Sequence, residues 1–234
     1  MDNQQSTGFT VWLTGMRRAG KTTLAAELVK RLQLAGFRAD LFDEDGEAKS
    51  VLGLDGLGAS KDDQATITRR LGYVARHVGR AGGIAVVAAL SAYRDARNEL
   101  RKEPRRFVEV FVDCAMEALQ TRDPKGLYRK ALAGELTGIP GVDVPYEPPT
   151  HAEVVLHTDQ AGVEPCVQQV FQTLVTMRLI APADFGRLTG GLRPKRARPA
   201  ARGAGRGKLA AKAAARKAPR KVAARRPSPA KRRK

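Results

Sequence analysis

The chain has almost none of the residues that staple or ligate. Its two cysteines, Cys114 and Cys166, form no CxxC pair, and its three histidines, His77, His151 and His157, fall at no metal-ligand spacing with them. A disulfide framework and a structural zinc site are thereby excluded as organising devices. Long apolar runs are missing as well. The longest, residues 84–90, is far too short to span a bilayer, and the opening MDNQQSTGF has no basic stretch followed by an apolar one. These absences predict a reduced, cytoplasmic protein with no membrane segment. Acidic residues vanish from one region altogether. Residues 187–234 hold 19 Lys or Arg and no Asp or Glu, which against the formal +18 of the whole chain leaves the preceding 186 residues at −1.

What fills that region is Ala, Arg, Lys, Pro and Gly, as in KLAAKAAARKAPRKVAARRPSPAKRRK, a texture similar to the tails of linker histones and histone-like bacterial proteins. Such a segment cannot build a core and its like charges repel, which predicts a disordered C-terminal tail. Its charge predicts binding to nucleic acid or another polyanion through counterion release. It has no aromatic residue to stack on bases and no reading helix, so that binding is expected to be independent of sequence. A solvated tail without a dedicated partner is the plainer alternative.

The body before it alternates. Five short apolar or β-branched runs, at 9–13, 38–42, 84–89, 107–112 and 154–156, are separated by segments with helical spacing. This pattern predicts an α/β fold, a three-layer sandwich whose parallel sheet of about five strands is covered by helices on both faces. In the first helix Leu24, Leu28 and Leu32 share a face and Gly36 supplies the stop. Further helices are expected over 67–80 and 164–179. The organisation is then an N-terminal extension at 1–7, one domain at 8–181 and the basic tail at 182–234.

Between the first strand and the first helix stands GMRRAGKTT, which matches GxxxxGK[ST] from Gly15 to Thr22. The glycines let backbone N–H groups turn in around phosphate oxygens. Lys21 is placed to reach the β and γ phosphates, and the Thr22 hydroxyl to reach Mg²⁺. The helix that follows adds the positive end of its dipole. The loop and its flank, Gly15, Met16, Arg17, Arg18, Ala19, Gly20, Lys21, Thr22 and Thr23, are the candidate ATP-binding residues. Arg17 and Arg18 stand where small residues are usual. Either they point outward into solvent, or one of them contacts the γ-phosphate or an anionic group of the acceptor. Asp43 and Asp45 follow the second strand, at the carboxyl end of the sheet, where a carboxylate can orient Mg²⁺ or a hydroxyl.

Together with this loop, the strings LFDEDGEAK, TRRLGYVA, LSAYRDARNELR, VFVDCAMEALQTRDPKGLYRKALAGE and VDVPYEPP occur in the order and spacing seen in adenylylsulfate kinases, over about residues 8–180. The most specific of them is Arg122-Asp123-Pro124-Lys125-Gly126-Leu127-Tyr128. The resemblance implies a P-loop kinase fold and transfer of the γ-phosphoryl group of Mg-ATP to the 3′-hydroxyl of adenylylsulfate. It also implies ATP and Mg²⁺ as requirements, and it allows a homodimer. By the same resemblance Asp45 handles metal and acceptor, Lys125 acts from a lid that closes over nucleotide, and Arg122 lies on the nucleotide. Asp43, Arg69, Arg70, Lys125 and Ile139 contact the acceptor. Ser91 matches the serine assigned as a phosphoserine intermediate and so joins Lys21, Asp45 and Lys125 among the catalytic candidates. Direct in-line transfer needs no covalent carrier, however, which points Ser91 toward a hydrogen bond or a turn.

The resemblance fails on the acceptor side. Two phenylalanines that sandwich adenine in the family are Ala59 and Ile139 here, and stacking of a base on an aromatic ring contributes about 1–3 kcal/mol. Where the family has Asp-Gly-Asp-Asn-x-Arg, this chain has Gly46 for the asparagine and Ala48 for the arginine, with Lys49 next. In DRxxNIRR the first arginine is Gln64 and the asparagine is Ile67, while Arg69 and Arg70 are kept; LSPYR has become LSAYR, with Ala92. Three readings stay open: an adenylylsulfate kinase with a rebuilt pocket, a kinase of the family with another acceptor, or an inactive nucleotide-binding protein that acts through its tail.

Overall fold

A computed structural model of the chain describes residues 8–101 and 106–190. The expected extension at 1–7 and nearly all of the expected tail lie outside the described residues. Five parallel strands, β1 (Phe9–Thr14), β2 (Ala39–Asp43), β3 (Ile84–Ala88), β4 (Phe107–Asp113) and β5 (Val154–His157), form one sheet in the order β2-β3-β1-β4-β5. All pairings are parallel, with Val11 opposite Val86 on one side and Val108 on the other. Every residue of β1 and β3 is buried, so these central strands read as continuous apolar runs rather than alternating ones.

The period of two still decides which side chain meets which helix layer. Phe9, Val11 and Leu13 of β1 pack with Leu24, Leu28 and Leu32 of α1 (Lys21–Leu34) and with Val167 and Phe171 of α7 (Val163–Thr176). Trp12, from the same strand, packs on the opposite face against Ile67, Leu71 and Ala75 of α3 (Lys61–Arg80). The other helices are short: α2 (Ala48–Val51), α4 (Arg94–Leu100), α5 (Met116–Thr121), α6 (Leu127–Leu132) and α8 (Pro182–Thr189). Cys114 and Cys166 are buried and free. Among the described residues no helix is long and apolar enough to cross a membrane.

Two boundaries differ from expectation for visible reasons. Helix α3 starts at Lys61, six residues before its apolar face does, because the Ser60 side chain accepts from the Asp63 N–H at 3.2 Å and caps a polar first turn. The body also continues past 181. Helix α8 opens with proline in its first turn, buries Leu188 completely, and its carbonyl at Leu188 accepts from Arg31 of α1 at 3.4 Å.

On the α3 face, Glu109 of β4 is a buried charge inside the sheet. It is held by Arg97 of α4, whose Nε lies 2.7 Å from Oε1, and by Arg101 Nη2 at 2.7 Å from Oε2. Arg97, fully buried, also donates to the carbonyls of Ser91 and Glu147. This network ties α4 and the segment before β5 to the underside of the loops that follow β3.

Candidate active site

The loops leaving the carboxyl ends of β1, β2 and β5, with the segment that follows α5, border a cleft of about 790 Å³, where open parallel sheets place their ligands. The 15–20 loop forms its floor. At Gly15 the backbone lies so close to β4 that a Cβ would sit 2.3 Å from the Val112 carbonyl oxygen, which no other residue tolerates. Arg18 adopts φ 66°, the left-handed region, without being glycine, a strained conformation of the kind that clusters at functional sites. Two distant side chains hold the loop in place: the Tyr128 hydroxyl donates to the Arg17 carbonyl at 2.9 Å and the Thr158 hydroxyl to the Ala19 carbonyl at 2.8 Å.

Lys21, at the start of α1, is buried, and its ammonium donates to the carbonyls of Gly15 and Met16 at 2.9 and 3.1 Å. Burial lowers its pKa, and the carboxylates of Glu44 and Asp45 act in the opposite direction. Thr22 and Thr23 are exposed on the first helical turn and line the same cleft.

The acidic string after β2 divides by burial. Asp43 is buried and its Oδ1 accepts from the Asp45 N–H at 2.9 Å, folding the chain back on itself. Glu44 is buried too, with Oε1 accepting from the Leu90 N–H at 2.7 Å. Desolvation pushes the Glu44 carboxyl up to about 7, against the pull of Lys21. Asp45 is exposed, and its Oδ2 lies 3.9 Å from the Arg17 guanidinium. Among the described residues no cluster of three or more His, Cys, Asp or Glu forms a metal cage. Mg²⁺ in phosphoryl-transfer sites needs none, because it keeps waters and takes one or two protein oxygens beside substrate phosphates. The Thr22 hydroxyl and the Asp45 carboxylate, which line the same cleft, fit that donor set.

Arg122 and Lys125 are exposed and also border the cleft. Arg122 is anchored on Thr158, donating to its carbonyl at 2.6 Å and its hydroxyl at 3.2 Å. Asp123 Oδ2 accepts from the Tyr128 N–H at 3.0 Å, so the RDPKGLY segment is a closed turn leading into α6.

A second cavity of about 250 Å³ adjoins the first, sharing Arg17, Glu44, Asp45, Leu127 and Ile139 with it. Ala59, Gln64 and Ile67, the positions where the acceptor-side resemblance fails, line this cavity together with Ile139, and none of its lining residues carries an aromatic ring.

The structure thus brings Arg17 to Thr23, Asp43, Asp45, Arg122, Lys125 and Ile139 to the cleft, keeps Gly15 and Met16 beneath it, where their carbonyls hold Lys21, and leaves three candidates outside. Ser91 is 1% exposed, with its hydroxyl accepting from the Trp12 indole at 3.0 Å; its buried oxygen cannot carry a phosphoryl group, and its place is structural. Arg69 and Arg70 line neither cavity: Arg69 forms a surface pair with Glu99, and Arg70 donates to the carbonyls of Leu52 and Gly53. Sequence reasoning assigned no role to Glu44, although its place inside the acidic string was visible. Thr158 left no signal, since its partner stands 139 residues away.

The model of the adenylylsulphate kinase family matches residues 7–157. A curated adenylyl-sulfate kinase from Rippkaea orientalis is 42% identical over 174 residues, covering 74% of this chain and 95% of its own. Another, from Chloroflexus aurantiacus, is 40% identical and covers 74% of this chain and 92% of its own. Among solved structures, the APS kinase CysC of Mycobacterium tuberculosis in complex with AMPPNP and APS superposes with a TM-score of 0.65 at 34% identity, covering 72% of this chain and 98% of that one.

Proposed function

The chain belongs to the adenylylsulphate kinase family, and we propose that it transfers the γ-phosphoryl group of Mg-ATP to the 3′-hydroxyl of adenylylsulfate, giving 3′-phosphoadenylylsulfate and ADP. The observation that carries this reading is the pair of adjoining cavities, one floored by the phosphate loop and one beyond it, with Arg17, Glu44 and Asp45 lining both. A donor nucleotide in the first and an acceptor in the second meet at that junction.

Phosphoryl transfer asks mainly for alignment and charge neutralisation. In this assignment the loop N–H groups and the α1 terminus hold the donor phosphates, and Lys21 exchanges the Gly15 and Met16 carbonyls for phosphate oxygens. Asp45 orients the acceptor hydroxyl. Lys125 and Arg122 add positive charge from the lid side and exclude water. Thr22 and Asp45 would hold Mg²⁺, whose contribution when bound is to neutralise charge on the phosphate oxygens. We assign Arg17 to the acceptor's anionic group, because it faces both cavities, and Lys49, which lines the second, to the same task. These cations would offset the arginines missing at positions 48 and 64.

The test is ADP release from Mg-ATP by the full chain with and without adenylylsulfate. Strong stimulation is expected. No stimulation with ATP binding intact would move the reading to another hydroxyl acceptor. We further propose that residues 187–234, on the strength of their 19 positive charges, hold nucleic acid or another polyanion without sequence preference. Retention on DNA at low salt that survives removal of 191–234 would end that idea. A cytoplasmic setting is proposed on the composition of the chain, and self-association into a homodimer on the resemblance, the latter to be read by sedimentation.

A further inference from the structure

Gln64 sits in the first turns of α3, 4% exposed. Its side-chain Nε2 donates to the Gly58 carbonyl at 2.8 Å, while Oε1 is buried without any partner. Turning the amide over would set two acceptor oxygens against each other, so the bond to Gly58 fixes Oε1 as a free hydrogen-bond acceptor. A buried acceptor left without a donor is costly, and native structures rarely keep one without a use.

Its surroundings say what kind of donor it awaits. Gln64 lines the second cavity and not the first, and so do Leu54, Leu57, Ala59 and Ile67. Arg17, Glu44 and Asp45 line both. The charged groups at the junction with the phosphate loop are thus Arg17, Glu44 and Asp45, beside Leu127 and Ile139, while the wall that belongs to the second cavity alone is mainly aliphatic and carries one cation, Lys49, and one amide, Gln64. A nucleotide whose reacting ribose hydroxyl lies at the junction puts its base against that second wall. Adenylylsulfate offers three neutral donor groups, the two ribose hydroxyls and the amine on the base. The hydroxyls belong to the junction, which leaves the amine for the second wall.

We propose that Gln64 Oε1 accepts a hydrogen bond from the exocyclic amine of the acceptor's adenine, so that this chain selects the base by a hydrogen bond where it lacks an aromatic sandwich. The proposal rests on the adenylylsulfate reading above and adds the residue that recognises the base. Aliphatic walls accept any purine by shape, and a site built around a hydrogen bond rejects the analogue that lacks the donor.

The experiment measures kcat/KM with Mg-ATP for adenylylsulfate, its 6-deamino purine analogue and its 2′-deoxy analogue, using the full chain and Gln64→Met. The native chain is expected to prefer adenylylsulfate over the deamino analogue by about tenfold to a hundredfold. Gln64→Met should bring that ratio close to one, mainly through KM for adenylylsulfate, and leave the 2′-deoxy ratio unchanged. Because the native ratio needs no variant, poor folding of Gln64→Met does not shield the proposal. Equal rates for adenylylsulfate and the deamino analogue in the native chain overturn it, as does a preference that persists in a folded Gln64→Met. A collapse of the 2′-deoxy ratio instead would show that the amide reads the ribose, and overturns it too. If the native chain, with ATP bound, phosphorylates none of the three nucleotides, the adenylylsulfate reading falls and this proposal with it. Equal use of the first two leaves that reading standing.

Discussion

Glu44 is an acid placed where its charge is unwelcome. Burial dominates its environment and raises its carboxyl to about 7, while Lys21 only partly offsets that. Between its ordinary value of 4.5 and about 7 the folded state therefore binds more protons than the unfolded one. By linkage, stability from this group is complete below 4.5 and is lost as pH rises through 7. The substitution Glu44→Gln would keep an acceptor oxygen for the Leu90 N–H and imitate the protonated form. In metal-free and nucleotide-free buffer, this variant should be more stable than the native chain by about 1–3 kcal/mol at pH 8, with the gap closing toward pH 4.5. Urea melts at the two pH values decide it; a gap of the same size at both would show that Glu44 titrates normally. Lys21 has the opposite character, a buried cation kept for its work, and Lys21→Ala should abolish turnover with any acceptor while ATP binding weakens. An unaffected rate would remove the loop lysine from the chemistry. At this scale the phosphate loop was legible because its spacing is a local pattern. The burial of Glu44 was not, since three consecutive acids look like a solvated turn until the end of β3 supplies the Leu90 N–H from 46 residues away.

The contrast between two helix ends shows what an element discloses in its letters. Helix α1 ends with Gly36 at φ 93°; the Gly36 N–H donates to Gln33 O and the Phe37 N–H to Leu32 O, each at 3.0 Å. Helix α7 ends with the same pair of bonds, Arg178 N–H to Val175 O and Leu179 N–H to Leu174 O, both at 2.9 Å. There the left-handed residue is Arg178, at φ 59°. The motif is one, but only glycine announces it. This is why the stop after α1 was readable while the end of α7 was expected three residues late. Arg178 forgoes the conformational ease that glycine has in this region, so Arg178→Gly should stabilise the fold by about 0.5–1 kcal/mol, read as a rise in the thermal midpoint. A fall would mean that the arginine side chain contributes more than its backbone strain costs. The turn that leads into α6 offers a functional counterpart. Tyr128→Phe removes the donor to the Arg17 carbonyl and loosens the phosphate loop, which should lower kcat by about threefold to tenfold with little change in melting. The strands were readable for the reason that hid their pairing partners: β1 and β3 are buried on both faces, so each is an apolar run that carries no trace of its neighbours.

For the whole molecule the question is where the folded body ends. The expected domain ended at 181, just past its last expected helix and the stretch that resembles the family, yet the packing runs on. Leu188 of α8 is fully buried in the same core as Leu24, Val167 and Leu174. Arg31, from α1, binds both the Leu188 carbonyl and the Glu164 carboxylate of α7, so one guanidinium joins three helices on this face of the sheet. A single leucine inside a polar stretch is a weak signal, and eight residues, PADFGRLT, are too few to show a period clearly. The consequence is asymmetric. Ending the chain after residue 190 leaves the described core complete and should leave its stability that of the full chain. Ending it after 181 removes Leu188, exposes the groove between α1 and α7 and strands the Arg31 guanidinium, at a cost of about 2–4 kcal/mol. Leu188→Ala in the full chain should reproduce most of that loss, because it removes the buried side chain while the helix stays. Denaturant midpoints of the three chains against the native one check this. Equal stability of the chain ended at 181 would place α8 outside the cooperative body, and an effect of truncation without one from Leu188→Ala would assign the contribution to the Arg31 contacts rather than to the leucine.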